Sequence, residues 1–554
     1  MTTEQGDQVS PQVSTSHANE STVKRPPPPE TPVAVQTRFR VIAAFWAVII
    51  FLGFPIWWKT TSIYRAHLPI EEMVDWADGK ACRPVFPLEI HLATPSMQSI
   101  EAQYLLRTTQ HTLDDLNEFA AHHLRLKLAN DSATVSHNAE NGMESAINAE
   151  SQAPDTTLTV RLLAQEGLAA PRSELHAATT QLDVFYPPSQ VPVPSSSNSP
   201  LSAFIAEELQ RLYGEEKATI AHILSGHTGG LDSTSPQLAE SISRRLRRSM
   251  KYAETYHLSF SLFTPGSEPS SWDIEAAVKE YLSPLLQAFE PISNFTVDTQ
   301  VQLVSMDTQK EDLSAFVNAA EWPLNPSIGN GPTINFILYV PDPSQSPLIV
   351  KENRASSWIV PQWGGVYLLN PTLSNAEQGG QTNPAHLSQD SLGPAFMTFS
   401  HQLLTLLGTP STPASLPLRL QTSIRIRAAT LLLSASSTMG SLARLTESLP
   451  SIPIPASVAS SVSTTLSHLG ATCSHLREGR FGAALASARV AETEAERSFF
   501  EKSMVGQVYF PDEHKVAVYL PLLGPVGVPL VVSLLKELKR IAAGRKARRA
   551  AAAA

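Results

Sequence analysis

The feature that most constrains this chain is a long uncharged run near its C-terminus. No residue among the twenty from Val516 to Leu535 carries a charge. As a helix rising about 1.5 Å per residue, this run is long enough to cross a hydrocarbon layer about 30 Å thick. Aromatic residues gather at its N-terminal end and basic residues follow it, as is usual at the two borders of a membrane: Tyr509, Phe510, Tyr519; Lys536, Lys539, Arg540, Arg545, Lys546, Arg548, Arg549. We therefore predict a transmembrane helix over 516–535 and a basic cytosolic tail over 536–554.

A second uncharged run, Val41 to Trp58, predicts another transmembrane helix over 41–58. A cleaved signal peptide is the alternative. The run is long for a signal peptide, ends in bulky aromatic residues and lacks a small-x-small cleavage site, so we favour an uncleaved anchor. Basic residues lie outside both runs, which places both termini in the cytosol and Thr60 to His514 on the opposite side of the membrane.

The ends of the chain and its middle differ in charge. The formal net charge is −10 and only 17% of the 554 residues are charged, yet the segments beside both uncharged runs are basic. The long middle is therefore acidic, which argues against a nucleic-acid partner and leaves membrane lipid as the partner of the basic tail. Residues 1–40 are rich in Ser, Thr, Gln and Pro without apolar periodicity, and predict a disordered cytosolic tail.

Strand and helix patterns alternate through the middle of the chain. Tyr256–Phe263 and Phe295–Val304 alternate like half-buried strands, and Trp272–Phe289 between them has one apolar helical face behind a Ser271 cap. Further strands and helices are predicted on either side, with no fixed-period repeat: strands near 85–92, 158–163, 182–186, 334–340 and 365–369; helices over 64–76, 111–128, 201–224, 236–250 and 390–407.

The predicted fold class is an α/β domain, with a mixed sheet and flanking helices, plus a helical segment, held between the two transmembrane helices. We place the α/β domain over 59–416, with a disordered insertion near 130–157 and a Pro/Ser-rich loop at 187–200. Beyond Pro417, long Ala-, Ser- and Leu-rich stretches predict a helical region over 417–508.

No catalytic, cofactor-binding or metal-binding site is predicted. The phosphate-loop, nucleophile-elbow and paired-histidine zinc motifs are absent from the sequence, and so is C-x-x-C. Asp114 and Asp115 fit a solvated helix face better than an acid–base pair. His122 and His123 point to different sides of an element, so they are poor joint ligands. The two cysteines, Cys82 and Cys473, have no recognisable catalytic setting, and whether they pair is open.

Two sequence signals indicate modification. Asn130 in NDS and Asn294 in NFT are N-glycosylation acceptors if the middle of the chain faces the lumen of the secretory pathway. The corresponding NPS at Asn325 and NPT at Asn370 are blocked by proline. Asn294 is the better candidate, because it lies where a predicted helix gives way to a predicted strand.

The second predicted span is rich in glycine and proline. Small residues let helices approach closely, and prolines free carbonyl groups that neighbouring groups must satisfy. We therefore predict that Gly524, Pro525 and Gly527 form a packing face against protein within the membrane. A kinked but solitary anchor is the alternative.

Five stretches of the sequence are distinctive: YHLSFSLFTPGSEPSSWDIEAAVKEYLSPLLQAF, SNFTVDTQVQ, INFILYVPDPSQSPL, QWGGVYLLN and YFPDEHKVAVYLPLLGPVGVPLVVSLLKELKR. Together they resemble the PIG-S family, whose members are subunits of the glycosylphosphatidylinositol (GPI) transamidase. The most specific are WDIEAAV, from Trp272 to Val278, and the YFPDEHKVAVYLPL entry into the second predicted span. The resemblance runs from the first predicted span to the C-terminal tail and is weakest across Asn130–Pro200.

The resemblance implies a non-catalytic subunit of an endoplasmic reticulum complex that attaches GPI anchors to proprotein C-termini. It implies a lumenal α/β domain between two spans, and four partners: the caspase-like cysteine protease PIG-K, PIG-T, PIG-U and a GPAA-type subunit. No catalytic residue carries over. Two other functions stay open at this point, a membrane-anchored lumenal hydrolase or transferase, and a lumenal receptor for the proprotein or the glycolipid.

Overall fold

The computed structural model describes residues 31–61, 64–129, 155–192, 199–228, 236–266, 268–303, 331–351, 353–372, 374–375, 381–449, 452–504 and 512–553. They belong to two units, one made of the chain ends (Met1–Tyr64 with Gly506–Ala554) and one of the chain between them (Arg65–Val505). Asn130, most of the expected insertion and residues 193–198 of the expected loop lie outside these ranges. So do residues 1–30 of the expected tail.

The elements are numbered in chain order. Two π-helical turns, Ile49–Gly53 and Val278–Leu282, join α1 to α2 and α7 to α8. The helices are α1 (Pro32–Val48), α2 (Phe54–Thr61), α3 (Ile70–Ala77), α4 (Ser99–Asp115), α5 (Pro200–Thr228), α6 (Pro236–Arg248), α7 (Ile274–Ala277), α8 (Ser283–Phe289), α9 (Gln389–Leu406), α10 (Leu416–Ser448), α11 (Ala456–Arg477), α12 (Phe481–Phe499) and α13 (Asp512–Ala553). The strands are β1 (Phe86–Ala93), β2 (His122–Leu128), β3 (Thr156–Ala164), β4 (Arg172–Leu175), β5 (Gln181–Tyr186), β6 (Thr255–Thr264), β7 (Ser271–Trp272), β8 (Asn294–Leu303), β9 (Thr333–Tyr339), β10 (Ser357–Val360), β11 (Gly364–Leu368), β12 (Ser374–Asn375), β13 (Gln381–Thr382) and β14 (His386–Leu387).

The first sheet has the strand order β2-β1-β3-β5-β4. Strands β2, β1, β3 and β5 are parallel, and β4 pairs antiparallel with β5 at one edge. Leu88, Ile90 and Leu92 of β1 lie on one face of the sheet and are fully buried, whereas Glu89 and His91 on the other face are half-buried. Helix α4 connects β1 to β2, and α5 follows β5.

The second sheet repeats the topology of the first. Its order is β8-β6-β9-β11-β10, with four parallel strands and an antiparallel edge strand, β10. Helices α7 and α8 occupy the place of α4, and α9 occupies the place of α5. The same order of strands, pairings and helices therefore occurs twice, a structural duplication that the sequence pattern did not reveal. The predicted α/β class, with mixed sheets and flanking helices, is confirmed, and it consists of two sheets.

The two sheets have separate cores. The core of the first sheet is continuous with the helical region, because α10, α11 and α12 contribute their buried faces to it. The core of the second sheet is rich in aromatic residues: the ring of Phe260 lies 5.2 Å from those of Phe336 and Phe396, centroid to centroid. A disulfide joins Cys82, just before β1, to Cys473 on α11, which answers the question left open by the sequence.

Two glycines of the QWGGVYLLN stretch are required by close packing. A Cβ at Gly364 would collide with the Asn335 carbonyl oxygen on neighbouring strand β9, and a Cβ at Gly365 would collide with Oε1 of Gln402 on α9. Gln402 itself donates to the carbonyl oxygens of Trp358 and Val366. The glycine pair therefore lets a buried amide bridge α9 to the sheet.

Three predicted helices differ from the observed elements. The helix predicted over 111–128 was wrong over most of its length: α4 runs from Ser99 to Asp115, and His122–Leu128 forms strand β2. Leu124, Leu126 and Leu128 alternate with polar residues, and this period of two decides in favour of a strand beside β1. The helix predicted over 64–76 is α3, which starts after Pro69 rather than at Tyr64, because the residue before a proline is disfavoured in helical geometry.

The predicted helix over 272–289 starts later and is interrupted. Ser271 does not cap it, because Ser271–Trp272 pairs with β14, and Asp273 precedes the first helical residue. The π-helical turn Val278–Leu282 lies just before Pro284, which has no N–H to donate to the preceding turn.

Among the described residues, one helix has the length and apolar composition to cross a membrane: Val33–Ile56, with a mean hydropathy of 2.2 and none of that window buried. The second predicted span, 516–535, lies within the long helix α13. Its placement in a membrane stays a prediction.

Candidate functional site

The carboxylates singled out in the sequence lie on the surface. Asp114 and Asp115 are both exposed at the end of α4. Asp115 accepts from Nδ1 of exposed His111 at 2.8 Å, and Asp114 accepts from the amide of Gln110 at 3.0 Å. Neither carboxylate lies in the apolar pocket that a general acid–base pair requires. The structure therefore agrees with a solvated helix face.

His122 lies in a buried polar cluster that the sequence did not reveal. Its Nε2 lies 3.3 Å from Oε1 of Glu216, and only 2% of either side chain is exposed. Arg425 donates to both Glu216 oxygens, and Thr422 donates to Oε2 at 2.5 Å. Glu216 is on α5, His122 on β2, and Arg425 and Thr422 on α10, so one carboxylate joins three elements that are remote in sequence. No short motif encodes such a contact.

The electrostatics of Glu216 favour a structural role. Burial alone raises the pKa of this carboxyl, but the charge of Arg425 and the hydrogen bonds from His122 and Arg425 outweigh burial and hold the pKa well below its usual range. A carboxylate fixed in its ionised form, with both oxygens occupied, is a poor general acid or base at neutral pH.

No metal centre or free thiol is found in the described part of the chain. No three His, Cys, Asp or Glu side chains there are grouped as metal ligands would be. Cys82 and Cys473 are both in the disulfide, so neither provides the thiolate that a cysteine nucleophile requires.

The predicted glycosylation acceptor Asn294 is exposed, at the first residue of edge strand β8. Its backbone N–H donates to the Glu254 carbonyl oxygen at 2.8 Å. The hydroxyl of Thr296, the third residue of the acceptor motif, hydrogen-bonds to Nδ1 of His257 on β6. Asn294 thus lies at an accessible sheet edge. Asn130 lies outside the described residues.

The residues predicted to pack against another protein within the membrane lie in α13. Gly524 and Gly527 are half-buried and Pro525 is exposed, and a Cβ at either glycine would have no heavy atom of the chain within 4 Å. Val526 and Val528 beside them are 62% exposed. The glycine face is therefore open within this chain, as a surface that contacts lipid or another protein must be.

An ion pair connects the two terminal helices. Nε of Arg38, on α1, donates to Oε1 of Glu537, on α13, at 2.7 Å. Only 8% of the Glu537 side chain is exposed. Arg38 precedes the first predicted span and Glu537 follows the second, so the start of one span and the end of the other are adjacent.

These features define a protein with a helix able to span a membrane, an open glycine face on a second long helix, and a duplicated α/β unit whose two cysteines form a disulfide. The chain belongs to the PIG-S family: the family model described as "Phosphatidylinositol-glycan biosynthesis class S protein" matches residues 44–544.

Proteins with related sequences occur in animals and fungi. The chain is 26% identical over 546 residues to the "GPI-anchor transamidase component PIGS" of Rattus norvegicus, covering 90% of this chain and 94% of the relative. It is 27% identical to the "GPI transamidase component PIG-S homolog" of Schizosaccharomyces pombe, over 91% and 84% of the two chains. It is 25% identical to the "GPI transamidase component GPI17" of Saccharomyces cerevisiae, over 89% and 91%.

Proposed function

We propose that this chain is a non-catalytic subunit of the GPI transamidase of the endoplasmic reticulum, supporting assembly of the complex and attachment of GPI anchors to proprotein C-termini. The observation that carries the proposal is the match of the PIG-S family model over nearly the whole chain. Relatives that align over similarly large shares of their own length are named as transamidase components.

The side chains support a role other than catalysis. The cysteines are in a disulfide, Glu216 is locked in an ion pair, and Asp114 and Asp115 are solvated. In this proposal the nucleophile belongs to the caspase-like cysteine protease PIG-K, and the remaining partners are PIG-T, PIG-U and a GPAA-type subunit. The contribution of this chain is then a folded unit and membrane helices on which other subunits assemble.

Two observations support a two-pass topology with a lumenal α/β unit. The Arg38–Glu537 pair brings together the start of the first span and the end of the second, so both ends lie on one side of the membrane if both helices cross it. Disulfides such as Cys82–Cys473 persist in the lumen of the endoplasmic reticulum and are rare in the cytosol. Together they favour cytosolic termini and a lumenal Arg65–Val505.

The test is purification of the tagged full chain from microsomes in mild detergent, followed by quantitative mass spectrometry. We expect a cysteine protease subunit and the other transamidase subunits to be enriched, relative to an unrelated tagged two-pass protein of the same membrane. Deletion of the chain should abolish GPI attachment, and re-expression should restore it. If no cysteine protease subunit co-purifies and GPI attachment persists without the chain, the proposal is wrong.

Topology is tested on intact microsomes. Added protease should remove only the terminal tails, and glycosidase should then shift the protected fragment. A protease-sensitive middle segment would contradict the lumenal placement. It would not decide the subunit assignment, which the purification tests.

A further inference from the structure

A cavity of about 520 Å³ opens within the Arg65–Val505 unit. It lies where the segment between the two repeats, residues 249–254, meets helices α10 and α12. Its volume falls in the range of small-molecule sites, about 300–1,000 Å³, and junctions between domains are common places for such sites. Part of its wall is apolar: Ile223, Leu246, Met250, Leu407, Ile426 and Leu431.

Two guanidinium groups lie near one aromatic ring in this wall. The Cζ atoms of Arg427, on α10, and Arg489, on α12, lie 5.6 and 5.9 Å from the ring centroid of Tyr252. Nη2 of Arg427 donates to the Leu407 carbonyl oxygen, and Nε of Arg489 donates to the Tyr252 hydroxyl, each at 2.6 Å. These bonds and ring contacts fix the two groups in place, and leave Nη1 of each without an acceptor among the described residues.

Neither arginine has an anionic partner among the residues that the structure describes. No carboxylate in the described ranges forms an ion pair with Arg427 or Arg489, whereas Arg425, two residues before Arg427 on the same helix, is paired with Glu216. Both arginines are half-buried, and burial lowers the pKa of Arg427. A partly desolvated cation without a counter-ion is costly, and a bound anion would offset that cost.

A carboxyl group in the same wall also has an unused oxygen. Oε1 of Glu492 accepts from the Ser434 hydroxyl at 2.7 Å, while the buried Oε2 has no partner. Burial is the main cause that raises the pKa of Glu492, with a further contribution from Glu496. A protonated Glu492 adds a donor rather than a competing negative charge. The other charged groups in the wall are Glu254 and the Lys251–Glu496 pair, 3.0 Å apart.

We propose that this cavity binds a small anionic amphiphile, a phosphate monoester or carboxylate joined to an apolar chain. The oxyanion would be held between Arg427 and Arg489, the groups best suited to bind such oxygens, with Glu492 as an additional donor. The apolar chain would lie on the aliphatic wall. The source of the amphiphile is either the membrane or the soluble pool. This inference does not depend on the transamidase assignment.

The experiment uses the full chain in phosphatidylcholine nanodiscs, with hexyl phosphate as the probe. We expect saturable calorimetric binding of one equivalent, and slower amide exchange at residues 249–254 and 489–496. Inorganic phosphate lacks the chain and hexanol lacks the charge, so each should bind at least about tenfold more weakly. Nanodiscs that also contain phosphatidic acid, measured without hexyl phosphate, distinguish the two sources. Slower exchange at the two segments in these nanodiscs identifies a membrane lipid as the ligand, and unchanged exchange identifies a soluble ligand.

Variants test the residues. Arg427→Met and Arg489→Met should each weaken hexyl phosphate binding about tenfold or more, and Glu492→Gln, which retains a donor, should not. Arg497→Met is the matched control, because Arg497 is exposed on the same helix as Arg489. If an arginine variant fails to fold, the amide-exchange protection of the unmodified chain still tests whether hexyl phosphate binds at this cavity. The proposal is overturned if hexanol equals hexyl phosphate in binding, or if protection lies away from the two segments.

Discussion

Arg425 donates hydrogen bonds from Nε and Nη2 to the two oxygens of Glu216, at 2.6 and 2.7 Å, with only 2% of either side chain exposed. The pair fastens α10 to α5, and Glu216 also contacts His122 on β2. Because desolvation offsets much of the attraction inside a buried pair, its net contribution to stability is small, but loss of one partner leaves a buried charge unpaired.

Arg425→Met should therefore destabilise the protein by about 3–5 kcal/mol, while Glu216→Leu combined with Arg425→Met should cost much less. Thermal and denaturant unfolding of the full chain measure both. Arg497→Met, which breaks an exposed pair with Glu494, serves as the control and should change stability by less than about 1 kcal/mol. Equal destabilisation by the single and double variants would contradict this account, since the cost would then come from packing alone.

Asp183 should make the stability of the folded protein depend on pH under acidic conditions. Burial raises the pKa of this carboxyl, but hydrogen bonds from Arg161, His176 and Gln181 outweigh burial and lower the pKa from 3.8 to about 2. Because the folded protein holds the proton more weakly than the unfolded chain, this stabilisation is complete above pH 4 and is lost as the pH falls towards 2. In Asp183→Asn the loss of stability between pH 4 and pH 2 should be smaller. An unchanged slope in unfolding experiments across that range would exclude Asp183 as a contributor.

The Cys82–Cys473 disulfide joins two residues that are 391 positions apart in the sequence, and links α11 to the start of the first sheet. A cross-link over so long a separation restricts the unfolded chain strongly, so its loss should cost about 2–5 kcal/mol. Cys82→Ala with Cys473→Ala should lower the melting temperature and make it insensitive to reductant. Complexes that still assemble with this double variant should retain transamidation per complex. Normal assembly with no transamidation would instead indicate a cysteine nucleophile in this chain.

Much of the fold was predictable from local pattern. The strands at Thr255–Thr264 and Thr333–Tyr339 and the helices α5 and α9 follow apolar periodicity, and their predicted bounds are within a few residues of the observed ones. Helices α10 to α12 lie within the predicted helical region, apart from one residue at the start of α10. Strand β2 was missed because the helical pattern of α4 runs directly towards it. The alternation at Leu124, Leu126 and Leu128 becomes decisive only beside β1.

The duplication and the buried polar cluster were not predictable for a different reason. Repeated topology can persist without a repeated residue pattern, and the short β7 and the β12–β14 segments interrupt the second copy alone. Glu216, His122 and Arg425 are ordinary polar residues in sequence, and meet only because three elements fold together. The predictions at Asn294 and at the glycines of α13 depend on adjacent residues, so they could be made from the sequence alone, and they stay predictions.

Asn294 should carry the glycan that shifts the protected lumenal fragment. It is exposed at the start of β8, which pairs only with β6 among the described strands. Asn294→Gln should abolish one glycosidase-sensitive mobility step, whereas Thr296→Ser should keep it, because Ser also completes the acceptor motif. Asn325→Gln, at a motif blocked by proline, is the control without effect.

The second acceptor motif separates two outcomes of that experiment. If Asn294→Gln leaves the mobility step intact and Asn130→Gln removes it, the glycan is on Asn130. If the unmodified chain shows no glycosidase-sensitive step, neither motif is used and the lumenal assignment loses this support.

Gly524 tests whether α13 is more than an anchor. Since a Cβ at this position would meet no atom of the chain within 4 Å, Gly524→Leu should be tolerated by the protein itself and should also increase the hydrophobicity of the predicted span. Insertion, measured by carbonate extraction, should be unchanged. A partner helix packed on the glycine face would be displaced, so recovery of other subunits in detergent should fall about fivefold or more. Val528→Leu is the matched control at an exposed position that already has a large side chain. Equal recovery of subunits by the two variants would show that α13 is a simple membrane anchor, because a packed glycine face cannot accept a leucine without separating the helices.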